Sequence, residues 1–181
     1  MRIISGKFGG RRIQPPSKMP HTRPTTDIAK EGLFNILNNQ IDFEDLKCLD
    51  LFAGTGSITY ELASRGASDF TIVEKDAAMY EFIKKSIELL KIENCKLNKQ
   101  DVFSYLETCN ETFDFIFAGP PYALETIDLL PEIIFKKKLL NNDGMFVLEH
   151  TPRNNYESFE GFQFQRNYGS TIFSFFLNDE K

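Results

Sequence analysis

Lys47 to Gly66 read KCLDLFAGTGSITYELASRG, and this stretch indicates the fold class. It begins with the strand formers of KCLDLF, and it ends with GSITYELASRG, which has the apolar spacing of a helix that stops at Gly66. A short loop between them carries Gly54 and Gly56. A buried strand that passes through a glycine loop into a helix is typical of open α/β sheets.

The same alternation of strand and helix continues toward the C-terminus. It predicts strands at DFTIVE, CKLNKQ, FDFIFA and GMFVLEH, and helices at DAAMYEFIKKSIELLK and VFSYLETC. A further helical stretch is predicted from Leu124 to Leu140, broken or restarted at Pro131. The alternation predicts a mainly parallel sheet with helices on both faces. Two alternating runs around Gly169 and Ser170 predict a closing antiparallel hairpin.

The N-terminal segment differs from the rest of the chain in charge. Residues 1–26 hold six basic residues and no acidic one, although the whole chain has a net charge of −5. RIIS and RRIQ flank GKFGG and predict a short hairpin, PPSKMPHTRP is an extended linker, and TTDIAKEGLFNILNN is a capped helix. We therefore expect a basic arm and linker, residues 1–22, and a main domain, residues 23–181. The arm favours contact with a polyanion, and a solvated tail is the alternative.

The composition excludes several classes of protein. A chain of 181 residues, 41% of them hydrophobic, is long enough for one packed core. Cys48, Cys95 and Cys109 are far apart and show no metal or disulfide spacing, so we expect no metal and a reducing, cytoplasmic location. Met1 leads into RIISGKFGG without an apolar h-region, and no apolar run approaches about 18 residues, so we expect no secretion signal and no contact with a membrane.

Acidic residues mark the ends of three successive predicted strands. Asp50 precedes the loop with Gly54 and Gly56, Glu74 ends the second strand, and Asp101 follows the third. The glycines allow the backbone to turn tightly and approach a ligand. Glu74 is placed to accept two ribose hydroxyls, and Asp101 to meet an adenine amino group. Alternatively, the loop is a structural turn and the two later carboxylates are helix caps.

The loop favours S-adenosyl-L-methionine over other adenosine ligands. A GxxxxGK[ST] phosphate loop is absent from the sequence, and Thr59 stands where a dinucleotide fingerprint has its third glycine. A carboxylate at Asp50 repels a pyrophosphate but suits the ammonium of a methionine moiety. The candidate cofactor-binding residues are Asp50, Phe52, Ala53, Gly54, Thr55, Gly56, Glu74, Lys75, Asp101 and Val102.

GPPY follows the fourth predicted strand, beside the same crevice. Proline cannot continue a central strand, so the chain leaves the sheet in a stiff turn. Together with the glycine loop, this motif resembles the amino-methyltransferases of nucleic acids, which have Asp or Asn, Pro, Pro, then Tyr or Phe. The resemblance implies that rigid backbone carbonyls accept hydrogen bonds from an exocyclic amine while the aromatic ring stacks on a flipped-out base. The candidate catalytic residues are Gly119, Pro120, Pro121 and Tyr122.

Four blocks extend the resemblance from Arg2 to Phe176: RIISGKFGGRRIQPP, TRPTTDIAKEGLFNIL, LDLFAGTGSITYELASRGA and YGSTIFSFF. Together they are similar to the RsmD-type family of 16S ribosomal RNA guanine-N2 methyltransferases. The family implies a Rossmann-like class I methyltransferase fold with a seven-stranded sheet, S-adenosyl-L-homocysteine as product, no metal, and bacterial small-subunit RNA or an assembly intermediate as partner. With such a substrate, the basic residues of the arm are expected to contact RNA phosphates: Arg2, Lys7, Arg11 and Arg12. The family also implies that Arg23, Thr25 and Thr26 lie over the cofactor and target pocket, and a helix cap with a stiff lead-in is the alternative.

Gly119 departs from the motif of that family, which has Asp at this position. Loss of a charge-assisted hydrogen bond of roughly 1.5–3 kcal/mol would slow transfer about 10- to 100-fold. Three accounts are open: a weakened enzyme, substitution by a nearby residue such as Glu149 or His150, or a chain that differs from the natural one.

Two alternative functions therefore remain open in addition to guanine-N2 methylation. One is a cofactor-binding RNA-binding or assembly factor, and the other is an adenine-N6 methyltransferase. A nicotinamide oxidoreductase is disfavoured, because PPY has no role in hydride transfer and the third glycine is missing. A single domain with an arm indicates a monomer.

Overall fold

The computed structural model describes residues 1–19 and 24–180. Within them, the strands are β1 (Lys47–Leu51), β2 (Asp69–Val73), β3 (Cys95–Asn98), β4 (Phe113–Ala118), β5 (Leu140–His150), β6 (Phe162–Tyr168) and β7 (Thr171–Leu177). The helices are α1 (Asp27–Gln40), α2 (Ser57–Ser64), α3 (Ala77–Leu90), α4 (Val102–Thr108) and α5 (Leu129–Lys136).

The described strands form one sheet in the order β3-β2-β1-β4-β5-β7-β6. Neighbours from β3 to β5 pair in parallel, and β7 pairs antiparallel with both β5 and β6. The strand order reverses between β1 and β4, and ligands of open α/β sheets bind outside the carboxyl ends of strands at such a point. The predicted α/β fold, a mainly parallel seven-stranded sheet with a C-terminal antiparallel hairpin, is confirmed.

Side-chain caps set the beginnings of three helices. Thr26 Oγ1 accepts from the amide of Ala29 at the start of α1, and Asp76 Oδ1 accepts from the amide of Met79 at the start of α3. Asp101 does the same for α4 through the amides of two residues in its first turn. These oxygens accept hydrogen bonds from amides that have no partner within the helix. The capping residues in the sequence therefore predicted where the three helices begin.

The fifth helix is much shorter than the predicted stretch from Leu124 to Leu140. Turns occupy the chain before Leu129, and Pro131 lies in the first turn of α5, where a missing N–H costs no helical hydrogen bond. The helix ends at Lys136, the chain turns through a left-handed φ of 53° two residues later, and β5 already begins at Leu140. The apolar spacing continued beyond both ends of the helix because the flanking turn residues also face the core.

Two apolar clusters cover the two faces of the sheet. The first joins α1, α2 and α3 to sheet residues such as Phe115 and Phe173, and the second joins α4 and α5 to residues such as Ile116 and Phe146. Neighbouring residues of one strand belong to different clusters, as the period of two in a strand requires. No helix within the described residues is long and apolar enough to cross a membrane.

The first thirteen residues are docked on α2. Ile3, Phe8 and Ile13 are buried in the first cluster, and an antiparallel bridge joins residues 2 and 12. The buried carboxylate of Glu61 accepts from the amides of residues 4 (2.9 Å) and 5 (3.1 Å). The basic segment is therefore attached to the sheet domain by both apolar and polar contacts.

Candidate active site

A cavity of about 770 Å³ opens at the carboxyl ends of β1, β2, β4 and β5. This volume lies within the range of about 300–1,000 Å³ that small-molecule sites have. It brings together two motifs that are far apart in the chain, the glycine loop after β1 and the GPPY turn after β4. Its walls include Asp50, Phe52, Ala53, Gly54, Thr55, Glu74, Lys75, Val102, Gly119, Pro120, Pro121, Tyr122 and Glu149.

The glycine loop turns through left-handed backbone conformations. Gly54 has a φ of 57° and Gly56 a φ of 80°, and Gly56 is the residue before the first turn of α2. A Cβ atom at Gly56 would lie 2.5 Å from the hydroxyl oxygen of Tyr60, so a side chain is excluded there by space as well as by conformation. Gly56 shapes the loop, while Gly54 and its neighbours form the wall of the cavity.

Glu74 holds the glycine loop against the end of β2. Its Oε2 accepts from the amide of Gly54 (2.7 Å), and its Oε1 accepts from the amide of Asp76 (2.8 Å). The side chain is nearly buried but still reaches the cavity wall. A carboxylate oxygen can accept two hydrogen bonds, so this anchoring leaves acceptor capacity toward a ligand.

Asp50 is buried beneath the same loop. Thr59 Oγ1 donates to its Oδ2 at 2.7 Å, and burial raises the pKa of Asp50 to about 7, helped by the negative charge of Glu74. Thr59 occupies the position of the missing third glycine, and no spacing rule predicted that its hydroxyl would bond to Asp50. Thr59, which distinguishes this loop from a dinucleotide fingerprint, is therefore the hydrogen-bond donor to Asp50.

The end of β3 contributes to the cavity through the neighbours of Asp101. Gln100 and Val102 line the wall, whereas Asp101 is the cap of α4 and does not lie on the wall. Its Oδ1 accepts both capping hydrogen bonds. The structure shows that Asp101 caps α4, and its contact with an adenine amino group stays a prediction. Val102, the next residue, provides an apolar part of the wall.

The GPPY turn forms another part of the cavity wall. The amide of Gly119 donates to the carbonyl of Leu51 (3.2 Å), which ties the turn to the end of β1. The hydroxyl of Tyr122 lies 3.1 Å from Glu149 Oε1 and 2.8 Å from Thr171 Oγ1, so its ring is held at the edge of the cavity. The turn is thereby fixed to the two strands on either side of β4.

Glu149 is one of the two residues that the sequence offered as substitutes for the missing acid. It lies on β5, it is 5% exposed, and it lines the cavity beside Gly119. Thr25 Oγ1 donates to its Oε2 at 2.6 Å, across 124 residues of sequence. Thr25 thus belongs to the cavity, whereas its neighbour Thr26 is the cap of α1.

His150 is not an alternative to Glu149, because successive residues of a strand face opposite sides of the sheet. Its Nδ1–H donates to the carbonyl of Thr151 (2.9 Å), and its Nε2 lies 2.7 Å from Ser174 Oγ. Burial lowers the pKa of this imidazole. The suggestion that His150 replaces the missing acid is therefore wrong: the ring packs in the core against Tyr156.

The basic side chains of the arm lie on the surface. Arg2, Lys7, Arg11 and Arg12 are exposed, and the charged ends of Lys7 and Arg11 lie over the ring of Phe8 at 4.8 and 5.3 Å. The arm begins next to the glycine loop, because the hydroxyl of Thr55 lies 3.6 Å from the sulfur of Met1. Arg23 lies outside the described residues. Among those described, no cluster of three or more metal-ligating side chains occurs.

Comparison with known proteins identifies the family. A family model described as conserved hypothetical protein 95 matches residues 1–177. The chain is 30% identical over 164 residues to a Buchnera aphidicola protein named ribosomal RNA small subunit methyltransferase D, covering 86% of this chain and 83% of that protein. The chain belongs to the RsmD-type methyltransferase family. The resemblance inferred from the four sequence blocks is confirmed.

Solved structures agree with this family. A putative methyltransferase from Escherichia coli has a TM-score of 0.86 at 25% identity, with 100% of this chain and 99% of that chain covered. A T. thermophilus 16S rRNA N2 methyltransferase in complex with AdoMet and guanosine has a TM-score of 0.68 at 25% identity. That match covers 85% of this chain and 44% of the other, so it concerns one part of the larger protein. Family and fold together make this chain a methyltransferase.

Proposed function

We propose that this chain transfers a methyl group from S-adenosyl-L-methionine to the exocyclic N2 of a guanine in bacterial 16S ribosomal RNA. The observation that carries the proposal is that the glycine loop and the GPPY turn line the same cavity. A methyl donor and an acceptor base must meet within a few ångströms, and two sites in one cavity are suited to that requirement.

The residues on the first wall fit the cofactor. Positive φ at Gly54 lets backbone amides approach the ligand, and Glu74 has acceptor capacity for ribose hydroxyls beyond its two backbone bonds. Asp50 offers a carboxylate for an ammonium group, and Val102 offers an apolar surface for an adenine ring. When bound, S-adenosyl-L-methionine supplies an electrophilic methyl group on a sulfonium sulfur. Each of these roles is part of the proposal.

The second wall fits a planar base with an amino group. Pro120 and Pro121 restrict the backbone, so the carbonyls of this turn are held in fixed directions and can accept from the amine. Tyr122 presents a ring on which a base can stack, and base–aromatic stacking is worth about 1–3 kcal/mol. Guanine as the base is favoured by the related structure that was solved with guanosine and is named an N2 methyltransferase.

The basic arm fits a role in holding RNA. Its exposed cations are Arg2, Lys7, Arg11 and Arg12, and each phosphate contact that a cation makes strengthens binding in a salt-dependent manner. We propose that residues 1–22 act as this RNA-binding arm and residues 23–181 as the methyltransferase domain. Ribosomal RNA as substrate would place the reaction in the cytoplasm. We propose a monomer, because a single domain with an arm needs no second copy to form a core.

Gly119 favours a second candidate function. Without a side chain at the first position of GPPY, the protein would bind cofactor and RNA while transferring methyl groups slowly or not at all. It would then act as an assembly factor of the small subunit.

Transfer of labelled methyl groups to unmethylated small-subunit particles and to free 16S RNA tests the proposal. We expect N2-methylguanosine when the RNA is digested to nucleosides and separated by mass spectrometry. N6-methyladenosine would show the adenine alternative instead. Binding of S-adenosyl-L-methionine and RNA without any transfer would show the assembly factor.

A further inference from the structure

Gly119 and Glu149 are neighbours across two parallel strands. Ala118 of β4 pairs with Leu148 of β5, so the next residue of each strand stands side by side where the strands reach the cavity. A Cβ atom built on Gly119 would lie 3.4 Å from Oε2 of Glu149 and 3.1 Å from the ring of Phe117. The carboxylate of Glu149 therefore lies within contact distance of the point where a side chain at position 119 would begin.

Two hydroxyl groups fix the carboxylate in this place. Thr25 donates to Oε2 (2.6 Å) and Tyr122 donates to Oε1 (3.1 Å), and both donors line the cavity themselves. An ionised carboxylate has about four acceptor positions, so anchoring by hydroxyls is compatible with accepting from a ligand. Because the side chain of Glu149 is 5% exposed, a hydrogen bond to it would form where little water competes.

The other acids on the wall are held around the glycine loop. Asp50 accepts from the hydroxyl of Thr59, Glu74 accepts from the amides of Gly54 and Asp76, and Asp76 caps α3. Glu149, in contrast, accepts from the hydroxyl of Tyr122, which belongs to the GPPY turn itself.

We propose that Glu149 supplies the side-chain acceptor for the exocyclic amine, in place of an acid at position 119. The inference rests on the proposed function and names the group that orients its substrate. One amine hydrogen donates to the carboxylate, which directs the nitrogen lone pair toward the methyl carbon. The C–N bond forms as the C–S bond breaks, and that bonding pair goes to sulfur. The positively charged nitrogen then gives up its proton to the Glu149 carboxylate, which passes it to water.

Binding of two nucleosides tests the acceptor without any methyl transfer. Guanosine carries the amine and inosine lacks it, and the two are otherwise alike. We expect the unaltered protein, with S-adenosyl-L-homocysteine present, to bind guanosine about 10-fold or more tightly than inosine by NMR titration. Equal affinity for the two nucleosides would overturn the proposal, even if methyl transfer to guanine occurs.

Three variants test the role in transfer. We expect Glu149→Gln to lower the single-turnover rate about 10- to 100-fold and to remove most of the preference for guanosine. The matched control is Glu125→Gln, an exposed position that does not line the cavity, and its rate should stay within about twofold. Gly119→Asp in the Glu149→Gln background should restore part of the rate, because it returns a carboxylate to the part of the cavity beside position 149.

The outcomes separate this inference from the proposed function. If the unaltered protein makes no N2-methylguanosine, the proposed function fails. If it does, and Glu149→Gln keeps its rate or its guanosine preference while melting at the temperature of the unaltered protein, the inference fails alone. If Gly119→Asp by itself raises the rate more than about 10-fold, Gly119 is a lesion and Glu149 does not replace the acid.

Discussion

The two ends of the cavity hold their acids in different ways. At the glycine loop, Glu74 bonds to the backbone amides of Gly54 and Asp76, which lie 20 and 2 residues away. At the GPPY turn, Glu149 bonds to the side chains of Thr25 and Tyr122, which lie 124 and 27 residues away. The first acid is held by a local backbone cradle, and the second by hydroxyl groups from distant parts of the chain.

From this difference we expect the glycine loop to govern cofactor binding and the GPPY turn to govern the orientation of the acceptor base. Backbone amides move only with the whole loop, so the cofactor end should tolerate few changes and should respond mainly in cofactor affinity. Side-chain hydroxyls can be removed one at a time, so the substrate end should respond mainly in transfer rate. The expected effects of substitutions at the two ends follow from this division, beginning with the largest.

Removing the acid of the backbone cradle should give the largest change. Glu74→Ala leaves the amides of Gly54 and Asp76 without their partner, and charge-assisted bonds are worth roughly 1.5–3 kcal/mol each. We expect the Kd for S-adenosyl-L-methionine to rise about 100-fold by calorimetry. Glu81→Ala, an exposed position on α3, is the control. A rise below about threefold would show that the loop does not depend on Glu74.

Adding a methyl group to the loop should mainly lower stability. Gly56→Ala combines a φ of 80° with a Cβ placed 2.5 Å from the hydroxyl oxygen of Tyr60. We expect the free energy of unfolding in urea to fall by about 2–3 kcal/mol. Gly10→Ala separates the two causes, because Gly10 has a φ of 84° with nothing within 4 Å of its Cβ position. If both variants lose the same free energy of unfolding, the contact with Tyr60 does not contribute to the effect of Gly56→Ala.

The buried acid of the cofactor end should make stability depend on pH. The pKa of Asp50 is raised to about 7, so its contribution is fully present below its unfolded pKa of about 4 and is lost as the pH rises through 7. Between about pH 6 and pH 8, the unaltered protein should lose about 1.5 kcal/mol of stability relative to Asp50→Asn. Urea unfolding at both values measures this difference. Parallel behaviour of the two proteins would show that Asp50 is ionised throughout.

Removing one hydroxyl at the substrate end should give the smallest change. Tyr122→Phe keeps the ring and loses the bonds to Glu149 and Thr171, each worth about 1 kcal/mol. We expect methyl transfer to slow about fivefold while the Kd for S-adenosyl-L-methionine stays within about twofold. Tyr168→Phe, on β6 outside the cavity, is the matched tyrosine control. A larger effect on cofactor affinity than on rate would contradict the division between the two ends.

The local features of the fold could be predicted from sequence, but contacts between distant segments could not. Propensity alone makes Gly32 a weak point of α1, yet a Cβ there would lie 2.3 Å from the ring of Tyr168. The glycine makes room for the β6–β7 hairpin, and nothing near residue 32 in the sequence indicates that hairpin. In the same way, α5 is shorter than the apolar spacing predicted. The turns on either side of it also bury apolar residues, and the spacing of those residues resembles that of a helix.

The α/β alternation, the glycine loop with Glu74, the GPPY turn and the family could all be established from the amino-acid sequence, because each is set by neighbouring residues or by regular spacing. Two other outcomes required the folded chain: His150 packs in the core, and Glu149 faces Gly119. They depend on which strand ends meet and which face each residue takes. That information exists only once β4 and β5 are paired in register.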